Sequence, residues 1–283
     1  MKLNVPSMQD LLTAGVHFGH QVRRGHPKMN QYIYGARDGV HIIDLAKSEE
    51  KLKEAVEFVY NLGKEGKVLL LVGTKKQAKE IVESLAKEVD APYISERWVG
   101  GLLTNFDEIR RNLKRLGDLK NEKEAGTLTR YTKKEQLLID RELEKFERVF
   151  GGVAKMDKVP DAMFVVDAVS DKTAVKEAFN KGLTLVGFAD TNSDPNMLDF
   201  PIPANDDGIK SIKIICETVI KAYGEGKKSA DAKAMADKEA VDKEKNAQVV
   251  DGENKLDKAV AEEAEVLEEV VEKKAVEESE RKV

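Results

Sequence analysis

The sequence predicts a layered α/β fold with a parallel sheet and helices on both faces, interrupted by one long helical insertion. Three observations predict it. The runs Lys67–Gly73 (KVLLLVG), Ala162–Asp167 (AMFVVD) and Thr184–Phe188 (TLVGF) are apolar throughout rather than alternating, as in strands covered on both faces. Helical periodicity fills the intervals between them, so strand and helix alternate. Residues 104–152 then break the alternation with two successive helical stretches. With 283 residues, 41% hydrophobic and 35% charged, the chain is long enough for one large domain or two modest ones.

In chain order, residues 1–47 read as a basic N-terminal segment at the edge of the core. There Tyr32–Ala36 and Val40–Ile43 flank Arg37-Asp38-Gly39, an Asp-Gly signal for a hairpin or tight bend. The α/β core is expected over 48–103 and 153–224, with helices Ser48–Lys64, Lys76–Lys87, Asp171–Lys181 and Asp207–Tyr223 between the strands. The insertion 104–152 carries Phe106, Ile109, Leu113 and Leu116 on its first helix. Its second helix carries Ile139, Leu143, Phe146 and Phe150. One apolar stripe per helix predicts an antiparallel hairpin resembling a coiled coil. Thr132-Lys133-Lys134-Glu135 fits a capping box opening the second helix. Such an arm is expected to project and serve an interface; packing on its own domain is the alternative.

Charge is distributed unevenly. The chain carries a net −5, but residues 225–283 hold 12 Lys+Arg against 18 Asp+Glu, a net −6, which leaves the body at +1. Residues 1–37 carry five basic residues against Asp10 alone, a net +4. The tail has no aromatic residue and reads as disordered or loosely helical. Leu256, Val260, Leu267 and Val271 are spaced for a helix against a partner, or for a solvated one. No apolar run is long enough to span a membrane, and Met1–Pro6 lacks a secretory layout. A single cysteine, Cys216, excludes an internal disulfide framework or Cys-cluster zinc site and suits a reducing cytosol. It lies among Ile212, Ile215 and Val219 and reads as core rather than nucleophile.

Candidate chemistry gathers in three places. Ligands of open α/β sheets bind beyond the carboxyl ends of the strands. There Gly73-Thr74-Lys75-Lys76-Gln77 would set two lysines at a helix N-terminus, an anion site, or would simply close a strand. No phosphate-loop or dinucleotide fingerprint is present. Asp190–Pro195 (DTNSDP) offers two carboxylates for a metal or for acid–base work, but the same residues build Asx turns, and the turn is the better reading. His17, His20, His26 and His41 invite a zinc site without matching a zinc signature. With Arg23, Arg24, Lys28, Arg37, Phe18, Tyr32 and Tyr34, the segment is better suited to RNA, where basic side chains neutralise phosphates and planar ones stack. A soluble α/β enzyme using the Gly73 and Asp190 loops on a phosphorylated small molecule is the competing reading.

The sequence also resembles a known family. Ala14–Gln21 (AGVHFGHQ), Pro27-Lys28-Met29, Tyr32–Gly35 (YIYG), Gly39–Leu45 (GVHIIDL), Val72–Ala78 (VGTKKQA), Arg97–Phe106 (RWVGGLLTNF), Phe164–Asp167 (FVVD), Asp190–Pro195 and Pro201–Ile212 (PIPANDDGIKSI) occur in one order. Together they resemble the bacterial-type ribosomal protein two of the small (30S) subunit over about residues 5–223. The family usually has Trp-Asn before Pro27, where this chain has Gly25-His26; that leaves open the stacking contact a tryptophan would make and whether His26 replaces it. The resemblance implies a flavodoxin-like α/β domain with a protruding helical hairpin. It implies a cytoplasmic, structural constituent of the ribosome, without catalysis, lying between head and body; no cofactor or metal ligand is expected, and whether His17, His20, His26 and His41 bind metal stays open. It further implies binding to ribosomal RNA and neighbouring proteins, and help in recruiting ribosomal protein one. Positions expected to meet RNA are Arg23, Arg24, Lys28 and Arg37, then Lys75 and Lys76 at the sheet edge, and Arg97 beside Trp98. Arg110, Arg111, Lys114 and Arg115 on the hairpin are further candidates, with a solvated helix face as the alternative.

Overall fold

The computed structural model describes residues 5–126 and 131–232. Two units divide the chain, Met1–Ala230 and Asp231–Val283. The expectations for the tail beyond 232 and for the link 127–130 lie outside the described residues.

The first unit opens with α1 (Met8–Thr13), capped by a reciprocal Ser7–Asp10 box, and a small antiparallel sheet of β1 (Phe18–Gln21), β2 (Ile33–Arg37) and β3 (Val40–Ile43), ordered β1-β3-β2. Helix α2 (Leu45–Lys64) begins three residues earlier than the sequence predicts, because the Asp44 carboxylate accepts the Ala46 N–H at 3.1 Å and starts it. The core sheet is formed by β4 (Leu69–Val72), β5 (Tyr93–Ile94), β6 (Ala162–Val165), β7 (Thr184–Ala189) and β8 (Phe200–Pro203). All neighbours are parallel, in the order β5-β4-β6-β7-β8. That order is consistent with a flavodoxin-like arrangement.

Helices flank both faces: α3 (Lys79–Glu88), α6 (Lys172–Lys181) and α7 (209–232), with α4 (Phe106–Glu124) and α5 (Lys133–Phe150) between β5 and β6. Alternate residues of the wholly apolar strands feed two cores. Leu69, Leu71, Phe164, Val186 and Phe188 join α2, α3 and α7 on one side. On the other, Leu70, Val72, Met163, Val165 and Leu185 join α6 and the Trp98–Phe106 stretch. This double coverage is what an uninterrupted apolar run encodes. Cys216 is fully buried in the first core, where burial pushes its thiol up, and it packs as a core side chain.

Three strands escape the sequence reading. β5 has only two residues, too few for a pattern, and β1 mixes Gly, His and Gln. β8 reads Phe-Pro-Ile-Pro and survives its prolines because it lies at the sheet edge, where no further neighbour needs their N–H. Helix α3 begins at Lys79 rather than Lys76, because a turn closed by Ala78 N–H on the Lys75 carbonyl at 2.8 Å precedes it. The helix predicted to stop at Tyr223 continues unbroken to 232.

That last helix crosses α2 with backbones in contact. A Cβ on Gly226 would lie 2.2 Å from the Tyr60 carbonyl oxygen, and one on Gly63 would lie 2.5 Å from that of Tyr223. We expect Gly226→Ala to cost about 1–3 kcal/mol through overpacking, measurable by urea denaturation; an unchanged midpoint would contradict this crossing.

Candidate nucleic-acid interface

The N-terminal sheet is built around one tight turn. Asp38 and Gly39 both adopt left-handed backbone, at φ 51° and 77°, which matches the twist of a two-residue hairpin. Gln21 pairs with Val40, and Val22 N–H donates to the Gly39 carbonyl at 3.0 Å. The short 3-10 turn Val22–Arg24 is thereby held against the hairpin tip. Arg23 and Arg24 consequently stand on one rim with Arg37, all three exposed, although the whole of β2 lies between them in sequence. Arg23 Nε donates to the Gln21 side chain at 2.9 Å, and Arg37 lies 3.8 Å from the exposed Asp38 carboxylate. Such exposed pairs are weak, so the rim keeps its positive charge.

Lys28 is placed elsewhere. Its ammonium pairs with Asp194 at 2.7 Å, and His26 N–H donates to the Thr191 carbonyl at 2.7 Å. Against the upward push of burial, Lys28 and the Asn196 N–H hold the Asp194 carboxyl below its ordinary value. The DTNSDP loop is therefore a network of turns, with Ser193 N–H on the Asp190 carbonyl and Asn196 N–H on Asp194 Oδ1, both at 3.0 Å. This is the turn reading, and the loop also anchors the N-terminal segment.

The crevice beyond the carboxyl ends of the core strands is filled by the chain's own charges. Lys75 Nζ lies 2.7 Å from Asp206 Oδ1, 2.7 Å from Asp207 Oδ1 and 3.2 Å from Asp167 Oδ2. Burial opposes its charge, but these carboxylates raise its pKa above the ordinary lysine value. The Lys75 ammonium is thus engaged by the protein's own carboxylates, and its loop turns inward because three of them converge on it. Asp206 is pushed up to about 7 by burial and by Asp190 and Asp167. Asp171 is pushed up to about 6, chiefly by burial; Thr74 donates to its Oδ1 at 2.8 Å and its Oδ2 has no partner.

His20 enters the same crevice, with Nδ1 3.1 Å from Asp190 and Nε2 3.4 Å from Asp207. The hydrogen bond to Asp190 raises its pKa above the ordinary histidine value, despite burial. Among the described residues, His20, Asp190 and Asp206 place ligand-type atoms within 4.8 Å of one another and could hold a divalent cation. His17, His26 and His41 do not join that group, so the structure does not gather the four histidines.

The other candidates are scattered. Lys76 is exposed on the loop before α3, and Arg97 is exposed on the stretch after β5. Its neighbour Trp98 is core, with its indole N–H on Glu177 Oε1 at 3.1 Å, so it offers no stacking surface. Arg110, Arg111, Lys114 and Arg115 are exposed on α4, where Arg111 pairs with Glu108 at 3.0 Å. The capping box at Thr132 and Glu135 starts α5 as its spacing predicts. Lys120–Glu147 at 2.9 Å and Lys123–Asp140 at 2.8 Å link α4 to α5.

Sequence reasoning missed Glu177, Asp167, Asp206 and Asp207 as organising groups. The last three sit in FVVD and PANDD at strand ends, the places that the carboxyl-end rule marks. Glu177, on a helix, carries no such signal.

A family model described as "Ribosomal protein S2" matches residues 11–226. The chain is 45% identical over 221 residues to "Small ribosomal subunit protein uS2" of Helicobacter hepaticus, covering 78% of this chain and 84% of that one. It is 46% identical over 221 residues to the protein of the same name from Wolinella succinogenes, covering 78% and 82%. With the Campylobacter curvus protein of that name it shares 42% identity over 246 residues, covering 86% and 94%.

Proposed function

The chain belongs to the ribosomal protein S2 family, and we propose that it binds small-subunit ribosomal RNA through its N-terminal rim. The family is structural and non-enzymatic, and this chain has a corresponding role in the small subunit of the ribosome, in translation. The observation that carries the RNA reading is that the Val22–Gly39 hydrogen bond brings the turn bearing exposed Arg23 and Arg24 against the hairpin that carries exposed Arg37. Three exposed guanidiniums on a rigid edge suit phosphate oxygens, for positioning rather than base reading. Lys28, Lys76 and Arg97 would add outlying contacts.

Two further parts belong to this proposal. Residues 1–47 form the RNA-binding segment on a core of 48–103 and 153–224, with 225–283 as an acidic appendage. Residues 104–152 act as a protruding antiparallel arm whose basic face, Arg110, Arg111, Lys114 and Arg115, makes a second contact; the ion pairs between α4 and α5 support that pairing. Neighbouring small-subunit proteins, protein one among them, and a site between head and body are proposed on the sequence resemblance. The ribosomal reading places the chain in the cytoplasm, and no helix among the described residues is long and apolar enough to cross a membrane.

Sedimentation tests the reading. The protein is expected to co-migrate with 30S particles through moderate salt, and a chain found only in the top fractions would sink the proposal. Arg23→Glu/Arg24→Glu is expected to lower subunit occupancy and to make log affinity fall less steeply with log salt, by about 2 in slope. Parental occupancy and slope would refute the rim as the RNA contact.

A further inference from the structure

The rim carries one more group whose exposure has no structural use. Tyr34 is 82% exposed, the most of any large apolar side chain standing in solvent among the described residues. It is the second residue of β2, an edge strand of the small sheet, at the irregularity where the register shifts between Ile33 and Gly35. Ile33 packs against the second core, and the register irregularity that follows it leaves Tyr34 outside that core. The next two residues of the strand leave the Tyr34 ring uncovered. Gly35 has no neighbour within 4 Å of a Cβ position, and Ala36 is small and exposed. The strand then ends on Arg37, 85% exposed, whose turn is tied to Arg23 and Arg24.

The other aromatic side chains of the segment do not share this arrangement. Tyr32 is half-buried against the second core, and Phe18 already has the His17 ring at a centroid distance of 4.1 Å. Tyr34 alone of the three offers an open ring, on the strand that leads into the positive rim.

We propose that Tyr34 is a stacking platform for an unpaired base of the small-subunit ribosomal RNA, with Arg37, Arg23 and Arg24 on the adjoining phosphates. The proposal rests on the RNA reading above and adds a contact that charge alone does not supply. A flat ring on a strand is a recurrent way for proteins to hold single-stranded bases. The positive rim calls for an anionic partner, and RNA sets a flat base beside its own phosphates, which an acidic protein side chain does not.

Stacking and phosphate neutralisation respond differently to salt, and that separates the two claims. The full-length protein, labelled, is titrated onto small subunits that lack it, at several salt concentrations. Tyr34→Ala is expected to weaken binding by roughly tenfold at every salt concentration with an unchanged salt slope. Tyr34→Phe keeps the ring and is expected to bind as the parent does. A photo-crosslinking phenylalanine analogue at position 34 is expected to label RNA. Tyr34→Ala within twofold of the parent, Tyr34→Phe as weak as Tyr34→Ala, or a crosslink to protein would each overturn the stacking assignment. If Tyr34→Ala is silent while Arg23→Glu/Arg24→Glu still lowers the slope, stacking fails and the RNA reading stands. An unchanged slope in the double variant removes the reading itself.

Discussion

Replacing Glu177 by Ala is expected to destabilise the protein by about 3–4 kcal/mol, because it strands a set of buried donors on one acceptor. Glu177 projects from α6 into the stretch between β5 and α4, where it is 8% exposed. Its Oε1 accepts the Trp98 indole N–H at 3.1 Å and Gly101 N–H at 2.8 Å. Its Oε2 accepts Leu103 N–H at 3.2 Å, Thr104 N–H at 3.3 Å and the Thr104 hydroxyl at 3.2 Å. One carboxylate thereby organises the loop that leads into α4. For a domain of this size the loss corresponds to a melting temperature lower by roughly 10 °C. Glu177→Gln keeps one acceptor oxygen and is expected to fall between the two.

Its pH dependence arises from the same contacts. Burial alone would raise the Glu177 pKa, but the N–H groups of Gly101, Trp98, Thr104 and Leu103 together hold it below the ordinary glutamate value. A depressed folded-state value means stability fully present above the unfolded pKa and lost as pH falls through the folded one. The gap between parent and Glu177→Ala should therefore be constant at neutral pH and shrink below about pH 4. Urea titrations at pH 7 and in the acid range read both; a gap that widens in acid would refute the account.

Lys75→Met is expected to cost about 3 kcal/mol at pH 8, by leaving buried carboxylates without their counter-charge. Asp206 and Asp167 are 3% and 6% exposed at their side chains, whereas Asp207 is 56% exposed and water would screen its loss. The sign of the pH response is opposite to that of Glu177. Asp206 at about 7 and Asp171 at about 6 sit above the ordinary aspartate value, so the folded protein takes up protons that the unfolded chain does not. For these groups, stability rises as pH falls from about 7 toward 4. Without Lys75 the folded-state values climb further, so the variant should recover relative to the parent between pH 8 and pH 5.5. Denaturant midpoints at the two pH values check this, and a deficit that stays constant or grows in acid would sink the ion-cluster explanation.

Features under nearest-neighbour control are legible in the chain alone. Apolar runs at β4, β6 and β7 read as buried strands because every apolar side chain in them enters one of two cores. Asp38-Gly39 announces its turn, and Thr132 with Glu135 announces the start of α5, since φ > 0 and capping depend on residues only a few positions apart. The concentration of basic residues in 1–37 points to the rim, which the whole-chain charge of −5 conceals.

Which charges remain available is settled by long-range packing instead. Lys75 looks like its neighbour Lys76 in the sequence, yet its partner Asp206 lies 131 residues away and reaches it only when β4 and β8 share a sheet. Glu177 and Trp98 meet across 79 residues in the same way. Periodicity reports which face a residue occupies, because that depends on local backbone geometry. It is silent on which distant group stands opposite, because that is set by packing the whole sheet. Arg23, Arg24 and Arg37 face outward for the same reason that Lys75 faces in: the fold brings carboxylates to one lysine and leaves the three arginines on the rim exposed.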